Sequence, residues 1–189
     1  MVIPANHADK ITAERDSKAY RSHIIYPDDH GESWRLGAIE ETLTNESTVV
    51  DLADGSVMQN MHSYHGKRNR AVAVSEDGGV SLTPVYLDDG LQSPVCQANI
   101  LRYSWPDENQ SRILFSSPNG EKRTGITVRL SYDEGKAWPV SILIHEGPGA
   151  YSNMSRLPDG DVGLLLEIGE SSPYETISFI TFDINWLED

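Results

Sequence analysis

The sequence predicts an all-β fold, and more narrowly a partial β-propeller of about three to four blades. An acidic turn recurs three times along the 189 residues, at intervals of 48 and 56 residues. A period near 50 is typical of propeller blades. Short runs rich in β-branched residues separate the turns, as expected of strands. No stretch keeps a helical apolar period for three turns, so we expect little helix.

The recurring turn fits the pattern S-x-D-x-G-x-x-W, and we call each copy an Asp-box turn. The copies span 27–34, 75–82 and 131–138, with Pro27 in place of serine in the first and Leu82 in place of tryptophan in the second. In such a turn the aspartate accepts backbone N–H bonds, the glycine adopts a positive φ, and the aromatic ring packs on its own blade. We therefore predict structural roles for Asp29, Gly31, Trp34, Asp77, Gly79, Asp133, Gly135 and Trp138.

The predicted strands are runs bounded by Gly, Pro, Asn and Asp. They cover 21–26, 48–52, 56–61, 70–75, 99–103, 111–116, 126–131, 140–145, 151–156, 161–167 and 176–182. Two of them follow tight hairpin turns, Ala53-Asp54-Gly55 and Pro158-Asp159-Gly160.

We interpret residues 1–189 as a single propeller segment. Its parts are an incomplete first blade 1–44, two complete blades at about 45–90 and 95–147, and a three-stranded last blade 148–189. At about 40 to 50 residues per blade, this is fewer than the roughly 4 to 8 blades of closed propellers. Such a segment exposes unpaired blade edges, which favours self-association or a low stability of the segment alone.

The charge balance argues against one class of partner. Lys and Arg number 15 against 29 Asp and Glu, a net charge of −14, whereas binding to nucleic acid requires clustered cations. No run approaches the roughly 18 apolar residues of a membrane helix, and the N-terminal residues do not resemble a signal peptide. We therefore expect no nucleic acid and no membrane span, and leave the localisation open.

Cysteine and histidine give little support for a metal. Cys96 is the sole cysteine, which excludes an intramolecular disulfide and a Cys-based zinc site. Of the six histidines, only His62 and His65 lie at a zinc-motif spacing, and they do so in a glycine-flanked turn. We predict no metal and no cofactor.

Short segments between the Asp-box turns carry a family resemblance. In chain order they are Asn45-Glu46-Ser47, Asn60-Met61-His62-Ser63, Val128-Arg129-Leu130-Ser131, Ala150-Tyr151-Ser152 and Gly163-Leu164-Leu165-Leu166-Glu167. In order and spacing, the set resembles the C-terminal half of exo-α-sialidases, the neuraminidase family of six-bladed propellers with Asp-box turns. The resemblance covers nearly the whole chain. It implies a sialidase-type propeller that hydrolyses terminal α-linked sialic acid, with a sialylated glycan as partner.

The resemblance also implies the catalytic pair. Glu46 matches the family's general base, and Tyr151 matches the tyrosine nucleophile that this base activates. A neutral phenol suits the reaction because an attacking carboxylate would repel the sugar's own carboxylate. Sialidases are an exception to the two-carboxylate scheme of glycosidases.

Three further residues match positions around the substrate in this family. Arg129 matches one arginine of a triad that clamps the substrate carboxylate, a task suited to the planar guanidinium. Glu167 matches a buried glutamate that orients a triad arginine. His62 stands where the family has its second triad arginine, and the resemblance implies that it binds the substrate there, although histidine offers only one donor per ring nitrogen.

Each assignment has a structural alternative. Glu46 could be a solvated residue at a strand start, and Tyr151 could pack half-buried on its strand. Arg129 could pair with Asp133 of the adjoining acidic turn. The family's general-acid aspartate and first triad arginine belong to earlier blades. The sequence therefore leaves a second interpretation open, a non-catalytic or truncated Asp-box propeller that binds a glycan or a protein.

Overall fold

The computed structural model describes residues 1–9 and 16–189 of the chain. Residues 10–15 belong to the predicted incomplete first blade, and that portion of the prediction lies outside the described residues. The chain divides into two compact units, Met1–Asp89 and Gly90–Asp189.

The regular secondary structure of the described residues is almost entirely β-strand. The strands are β1 (Ile3–Ala8), β2 (Tyr20–Tyr26), β3 (Arg35–Ile39), β4 (Thr44–Asp51), β5 (Val57–Ser63), β6 (Asn69–Ser75), β7 (Tyr86–Gln92), β8 (Asn99–Ser104), β9 (Arg112–Pro118), β10 (Thr124–Ser131), β11 (Val140–Arg156), β12 (Val162–Ile168) and β13 (Thr176–Phe182). Within the described residues, helix is limited to two short 3-10 segments, Ser17–Ala19 and Pro106–Glu108, and to α1 (Ile184–Glu188). The prediction of an all-β fold with little helix is confirmed.

The strands form three sheets. One has the order β1-β2-β3, a second the order β4-β5-β6-β7, and the third the order β13-β12-β11-β10-β9-β8. Strands β1, β3 and β7 were not predicted from the sequence. Each lies at the edge of its sheet. β7 contains two aspartates and a glycine, which are uncommon in strands, so its sequence does not indicate a strand.

The prediction of separate strands at 140–145 and 151–156 is wrong. The structure has one strand of 17 residues, β11. Its residues 140–148 pair with β10, and its residues 149–156 pair with β12. The Gly-Pro-Gly run at 147–149 therefore changes the partner of the strand without ending it, and Pro148 falls at a register irregularity, where a missing N–H is tolerated.

The second unit has the larger apolar core. Its buried cluster comprises Tyr103, Leu114, Ile126, Val128, Leu130, Met154, Val162, Leu164, Leu166, Phe182, Ile184 and Leu187. The last two come from α1, which begins after Asp183, whose side chain accepts the N–H of Asn185. In the first unit, a smaller buried cluster consists of Met61, Ala71 and Ala73.

The second Asp-box turn shows how these turns are held. The Asp77 carboxylate accepts the Ser81 backbone N–H at 2.9 Å and the Ser81 hydroxyl at 2.6 Å. The Ser75 hydroxyl donates to Asp77 and accepts the Gly79 N–H at 2.7 Å. The Ser81 side chain, together with the Ser81 N–H and Ser75, lowers the pKa of Asp77 to about 2. This carboxylate therefore acts as an ionised hydrogen-bond acceptor.

In the other two Asp-box turns the aspartate also accepts the backbone N–H four residues further on. Asp29 accepts the Ser33 N–H at 2.9 Å, and Asp133 accepts the Ala137 N–H at 2.9 Å. The turn glycines have positive φ, which is +94° for Gly31, +98° for Gly79 and +78° for Gly135. In the third turn, the Trp138 ring lies 5.8 Å from the Phe115 ring of β9. In the first turn, Trp34 is 42% exposed.

Candidate active site

A β-bulge presents Glu46 in the first unit. The register between β4 and β5 shifts between Thr44 and Ser47, so two residues of β4, Asn45 and Glu46, oppose one residue of β5, His62. A bulge of this kind bends the strand and redirects a side chain, and bulges are common beside active sites. We call these three opposed residues, Asn45, Glu46 and His62, the first bulge.

Asn45 fixes the backbone of the first bulge. Its side-chain oxygen accepts from Asn6 at 2.6 Å, and its amide donates to the Tyr64 hydroxyl at 3.1 Å. Its backbone carbonyl accepts the hydroxyl of Ser22, a fully buried residue of β2. These contacts leave the bulge little freedom to move.

Glu46 and His62 contact each other directly. His62 Nδ1 lies 3.2 Å from Glu46 Oε2. The His62 side chain is 3% exposed, whereas the Glu46 side chain is 31% exposed. The imidazole also packs against Tyr64, with ring centroids 4.7 Å apart, and Tyr64 stacks on Tyr20 at 6.0 Å. The carboxylate is therefore open to solvent, and the histidine lies behind it.

A buried carboxyl group lies near this bulge along the chain. Glu40 is 5% exposed, and its N–H donates to the Ser22 carbonyl at 2.9 Å. The Arg21 guanidinium donates to the backbone carbonyl of Glu40 at 3.1 Å and not to its side chain. Burial raises the pKa of the Glu40 carboxyl to about 7. Ser22 thus connects Glu40 to the carbonyl of Asn45.

A second β-bulge presents Tyr151 in the second unit. The register between β11 and β12 shifts between Gly149 and Ser152, so Ala150 and Tyr151 oppose one residue, Glu167. Glu167 Oε2 accepts the backbone N–H of Tyr151 at 3.2 Å. We call these three opposed residues, Ala150, Tyr151 and Glu167, the second bulge. The contact occupies the Glu167 carboxylate with the backbone of the predicted nucleophile, while its predicted role of orienting an arginine stays a prediction.

Neighbouring strands fix the second bulge on both sides. Gln97 accepts the Ser152 N–H at 3.2 Å and donates to the Ser152 carbonyl at 3.1 Å. The Ser152 hydroxyl lies 2.8 Å from that of Ser116. The Gly149 N–H donates to the Arg123 carbonyl at 2.9 Å.

Tyr151 lines a surface pocket of about 300 Å³. The wall combines polar and apolar side chains, among them Gln97, Ser152, Asn153, Leu165, Glu167 and Ile177. A pocket of this volume lies at the lower end of the range for small-ligand sites.

Arg123 supplies a positive charge beside Tyr151. Its Cζ lies 5.3 Å from the centroid of the Tyr151 ring and 6.0 Å from that of Tyr174. Its guanidinium donates to the Tyr174 hydroxyl at 2.6 Å and to the Val95 carbonyl at 3.2 Å. Such a cation is attracted to the aromatic faces and is suited to bind an anion next to them.

Arg129 lies deeper in the second unit. It is 5% exposed, and its Nη2 donates to Asn119 Oδ1 at 2.6 Å and to the Gln92 carbonyl at 3.3 Å. These contacts tie the guanidinium to the protein, and its predicted contact with a substrate carboxylate stays a prediction.

A family profile described as a BNR repeat-like domain matches residues 1–164. The chain belongs to this family. It is 37% identical over 175 residues to a sialidase of Micromonospora viridifaciens, a match that covers 89% of this chain and 26% of that protein. The resemblance to sialidases that we drew from the sequence is confirmed. The chain spans about a quarter of the length of this curated relative.

Solved structures agree with this relationship. A Hadza microbial sialidase superposes with a TM-score of 0.75 at 29% identity, covering 89% of this chain and 33% of the other. A leech intramolecular trans-sialidase, complexed with 2,7-anhydro-Neu5Ac prepared by soaking with 3'-sialyllactose, gives a TM-score of 0.75 at 24% identity, covering 89% and 29%. The fold of this BNR-family chain is therefore a partial sialidase-type β-propeller, as predicted.

No signal in the sequence points to Arg123. It lies in the run Glu121-Lys122-Arg123-Thr124, which has the composition of a solvated loop before a strand. Its place beside Tyr151 depends on the pairing of β10 with β11, and Thr124 opposes Pro148 in that pairing. Tyr64 and Gln97, which support the two bulges, were also not singled out.

The general acid of the family is not among the residues that we assign. Asp9 lies near the N-terminus, but Arg21 donates to its carboxylate at 2.8 Å and lowers the pKa of Asp9. A general acid must hold its proton before the reaction, so Asp9 does not suit this role.

Residues 1–9 and 16–189 contain no cluster of three or more His, Cys, Asp or Glu side chains arranged to hold a metal ion. None of the helices within these residues has the length and apolar character to cross a membrane.

Proposed function

We propose that this chain is part of a glycoside hydrolase that releases terminal α-linked sialic acid from glycans, with Tyr151 as nucleophile and Glu46 as its general base. One observation carries the proposal: Tyr151 lines a pocket with a guanidinium 5.3 Å from its ring. The sialidase of M. viridifaciens at 37% identity supports the reaction class. The leech protein's ligand, a sialic acid derivative, supports the substrate class.

The proposed reaction has two steps. The Tyr151 oxygen attacks the anomeric carbon of the sialic acid while the Glu46 carboxylate takes the phenolic proton, and the glycosidic C–O bond breaks. The departing oxygen takes a proton from an acid that is not among the assigned residues. In the second step, water attacks the same carbon and gives its proton to the conjugate base of that acid, while the C–O bond to Tyr151 breaks and the phenolate recovers its proton from Glu46. Two inversions retain the anomeric configuration.

The substrate carboxylate requires a cation beside the nucleophile. We propose Arg123 for this contact in addition to Arg129, because Arg123 is half-buried next to Tyr151 whereas Arg129 is 5% exposed and bonded to Asn119. An arginine binds a carboxylate with two parallel N–H bonds, which orients the sugar as well as attracting it.

The direct test is hydrolysis of a fluorogenic α-sialoside by the purified chain and by Tyr151→Phe. We expect the parent to hydrolyse the sialoside and Tyr151→Phe not to hydrolyse it. The two proteins should have the same unfolding temperature, because the substitution removes one hydroxyl and keeps the ring. Tyr86→Phe, at an exposed tyrosine of β7, is the matched control and should keep the parent's rate. Turnover that survives in Tyr151→Phe would end the proposed mechanism.

A non-catalytic role has one observation in its favour. The position opposite Glu46 holds His62, which is 2% exposed, where the resemblance implies an arginine. A chain that binds an α-sialoside with Arg123-dependent affinity, and does not hydrolyse it, would support this second function. Calorimetric titration with 3'-sialyllactose, using the parent and Arg123→Met, separates it from the first.

We also propose that a second copy of the chain is a partner through unpaired blade edges. Strand β13 is the edge of the six-stranded sheet. Ile177 and Phe179 of β13 are 66% and 60% exposed, and Leu165, opposite Phe179 on β12, is 46% exposed. An exposed apolar edge of this kind favours strand pairing between chains. Sedimentation should show a dimer whose population falls in Phe179→Lys; a monomer at all concentrations would contradict it.

A further inference from the structure

His62 occupies a position that links it to Glu46. It is 2% exposed, and it is the single β5 residue that opposes Asn45 and Glu46 in the first bulge. Because the ring lies behind the carboxylate, a bound sugar would meet Glu46 before it met the imidazole. Its route of influence on the chemistry is therefore the 3.2 Å contact between Nδ1 and Glu46 Oε2.

The imidazole plane is fixed by its surroundings. Tyr64 lies 4.7 Å from it, with an interplanar angle of 38°, and Tyr20 stacks on the far side of Tyr64. The Tyr64 hydroxyl accepts from Asn45, whose own backbone is bonded to Ser22. The stack and the bulge are thus one connected structure, and it directs Nδ1 to the carboxylate.

The role proposed for Glu46 determines which ring nitrogen of His62 carries the hydrogen. A general base is ionised before it acts, and an ionised carboxylate only accepts hydrogen bonds, so with Glu46 in that role Nδ1 carries the hydrogen and donates it to Oε2. A donor that is itself held by packing keeps the carboxylate in one orientation. An ionised, oriented carboxylate is what a general base requires before it accepts a proton.

We infer that His62 is a positioning residue for Glu46: its Nδ1–H orients the carboxylate as a proton acceptor, and His62 does not bind the substrate. This inference rests on the proposed function for the role of Glu46 and differs from the substrate contact predicted for His62 from the sequence. It assigns to the imidazole a task that a flexible or apolar side chain could not perform.

The first experiment reads the contact without turnover. In the full chain with isotope-labelled histidine, nitrogen NMR should show His62 protonated on Nδ1, with a signal that moves in Glu46→Gln. The matched control Glu167→Gln makes the same substitution at the carboxylate of the second bulge and should leave that signal in place. A proton carried by Nε2 alone, or a signal that does not respond to Glu46→Gln, would overturn the inference.

The second experiment reads the consequence for catalysis. His62→Leu should lower kcat by about 10–100-fold, as is typical when a supporting hydrogen bond to a catalytic group is lost, with KM changed by less than about twofold. His62→Asn places an amide donor near the Nδ1 position and should recover most of kcat. His65→Leu, at an exposed histidine of the following loop, should match the parent.

The outcomes separate this inference from the proposed function. Unchanged kcat in His62→Leu, with turnover that still needs Tyr151, would overturn the positioning role and leave the hydrolase. A changed KM at constant kcat would also overturn it, because that result indicates substrate binding. Absence of turnover in the parent would contradict the proposed function. If His62→Leu fails to fold, the NMR measurement and His62→Asn still decide the inference.

Discussion

The first and second bulges use the same backbone device for different chemistry. In each, two residues of one strand oppose one residue of the next, and a hydrogen bond joins residues 16 positions apart. In the first bulge, that bond links two side chains, His62 and Glu46. In the second, it links the Glu167 side chain to the backbone N–H of Tyr151. The repeated bulge therefore sets where a functional group stands, and the residue type sets what it does.

The difference between the bonds determines what each bulge constrains. A side-chain bond fixes the orientation of the Glu46 carboxylate itself. A bond to the backbone fixes the strand at Tyr151 but does not hold the phenol, and the Arg123 guanidinium lies beside its ring. A proton acceptor benefits from a fixed orientation, whereas a nucleophile benefits from a nearby cation that attracts its anionic substrate.

The largest expected effect is a pH dependence of the unfolding free energy that arises beside the first bulge and not beside the second. Glu40 in the folded chain has a pKa of about 7, against an ordinary value of 4.5 in the unfolded chain. Between these values, the folded state holds a proton that the unfolded state has lost. Stability therefore falls as pH rises from about 4.5 to about 7, by up to about 3 kcal/mol.

Glu40→Gln should flatten this part of the pH profile, because the amide does not titrate. Urea unfolding at several pH values checks it, and amide exchange shows where the change lies. We expect altered protection at Ser22, which contacts Glu40 and the first bulge, and none at Ser152 of β11. If the unfolding free energies of the parent and of Glu40→Gln fell equally with pH, Glu40 would not be the titrating group.

The next effect compares the two arginines of the second unit. Arg123→Met should raise KM for an α-sialoside by about 30–100-fold, a loss of roughly 2–3 kcal/mol for a charge-assisted bond to the substrate carboxylate. Arg129→Met should raise KM less than Arg123→Met does, and it should also lower the unfolding temperature, because Asn119 Oδ1 loses its buried donor. Steady-state kinetics and thermal unfolding of both variants measure the contrast. The reverse pattern would restore Arg129 as the principal clamp.

A smaller effect tests the packing that the second bulge requires. A Cβ atom at Gly149 would lie 2.5 Å from Cγ1 and 2.9 Å from Cδ1 of Ile126, which is fully buried. Gly149→Ala should therefore cost about 1–3 kcal/mol of unfolding free energy. In a double-mutant cycle, Ile126→Ala should relieve part of that cost. Additive costs would show that the two side chains do not compete for space.

The smallest effect lies outside both bulges. Asp133→Ala removes acceptors for the Ser131 hydroxyl and the Ala137 N–H. It should lower the unfolding free energy by about 1 kcal/mol and leave kcat unchanged. Asp133→Asn, which keeps an acceptor oxygen, should cost less. Loss of turnover in a folded Asp133→Ala would contradict a purely structural turn.

The strands and the family could be predicted from the sequence because both depend on local signals. The alternation of residue types and the flanking turn residues predict a strand at 176–182, and β13 has these same bounds, Thr176–Phe182. The Asp-box turns are local too, since Asp77 contacts residues within four positions of itself. These features need no knowledge of which strands pair.

The bulges and their partners could not be predicted in this way. Asn45-Glu46 has no glycine to mark a bulge, and its opposition to His62 depends on the register of β4 against β5. Burial of His62 and the place of Arg123 beside Tyr151 likewise follow from pairings between strands. The Gly-Pro-Gly run at 147–149 even suggested an interruption where the strand continues.

The continuity of β11 limits how this protein can change in length. Side chains alternate between the two faces of a strand. If one residue were inserted or deleted within 146–149, residues 140–145 would stay paired with β10, but the side chains of 150–156 that face outward would turn inward. The hairpin turns at 53–55 and 158–160 are free of this constraint, since they join strands without being part of one. Evolutionary insertions should therefore accumulate at the hairpins, and the short Gly-Pro-Gly junction should keep a constant length.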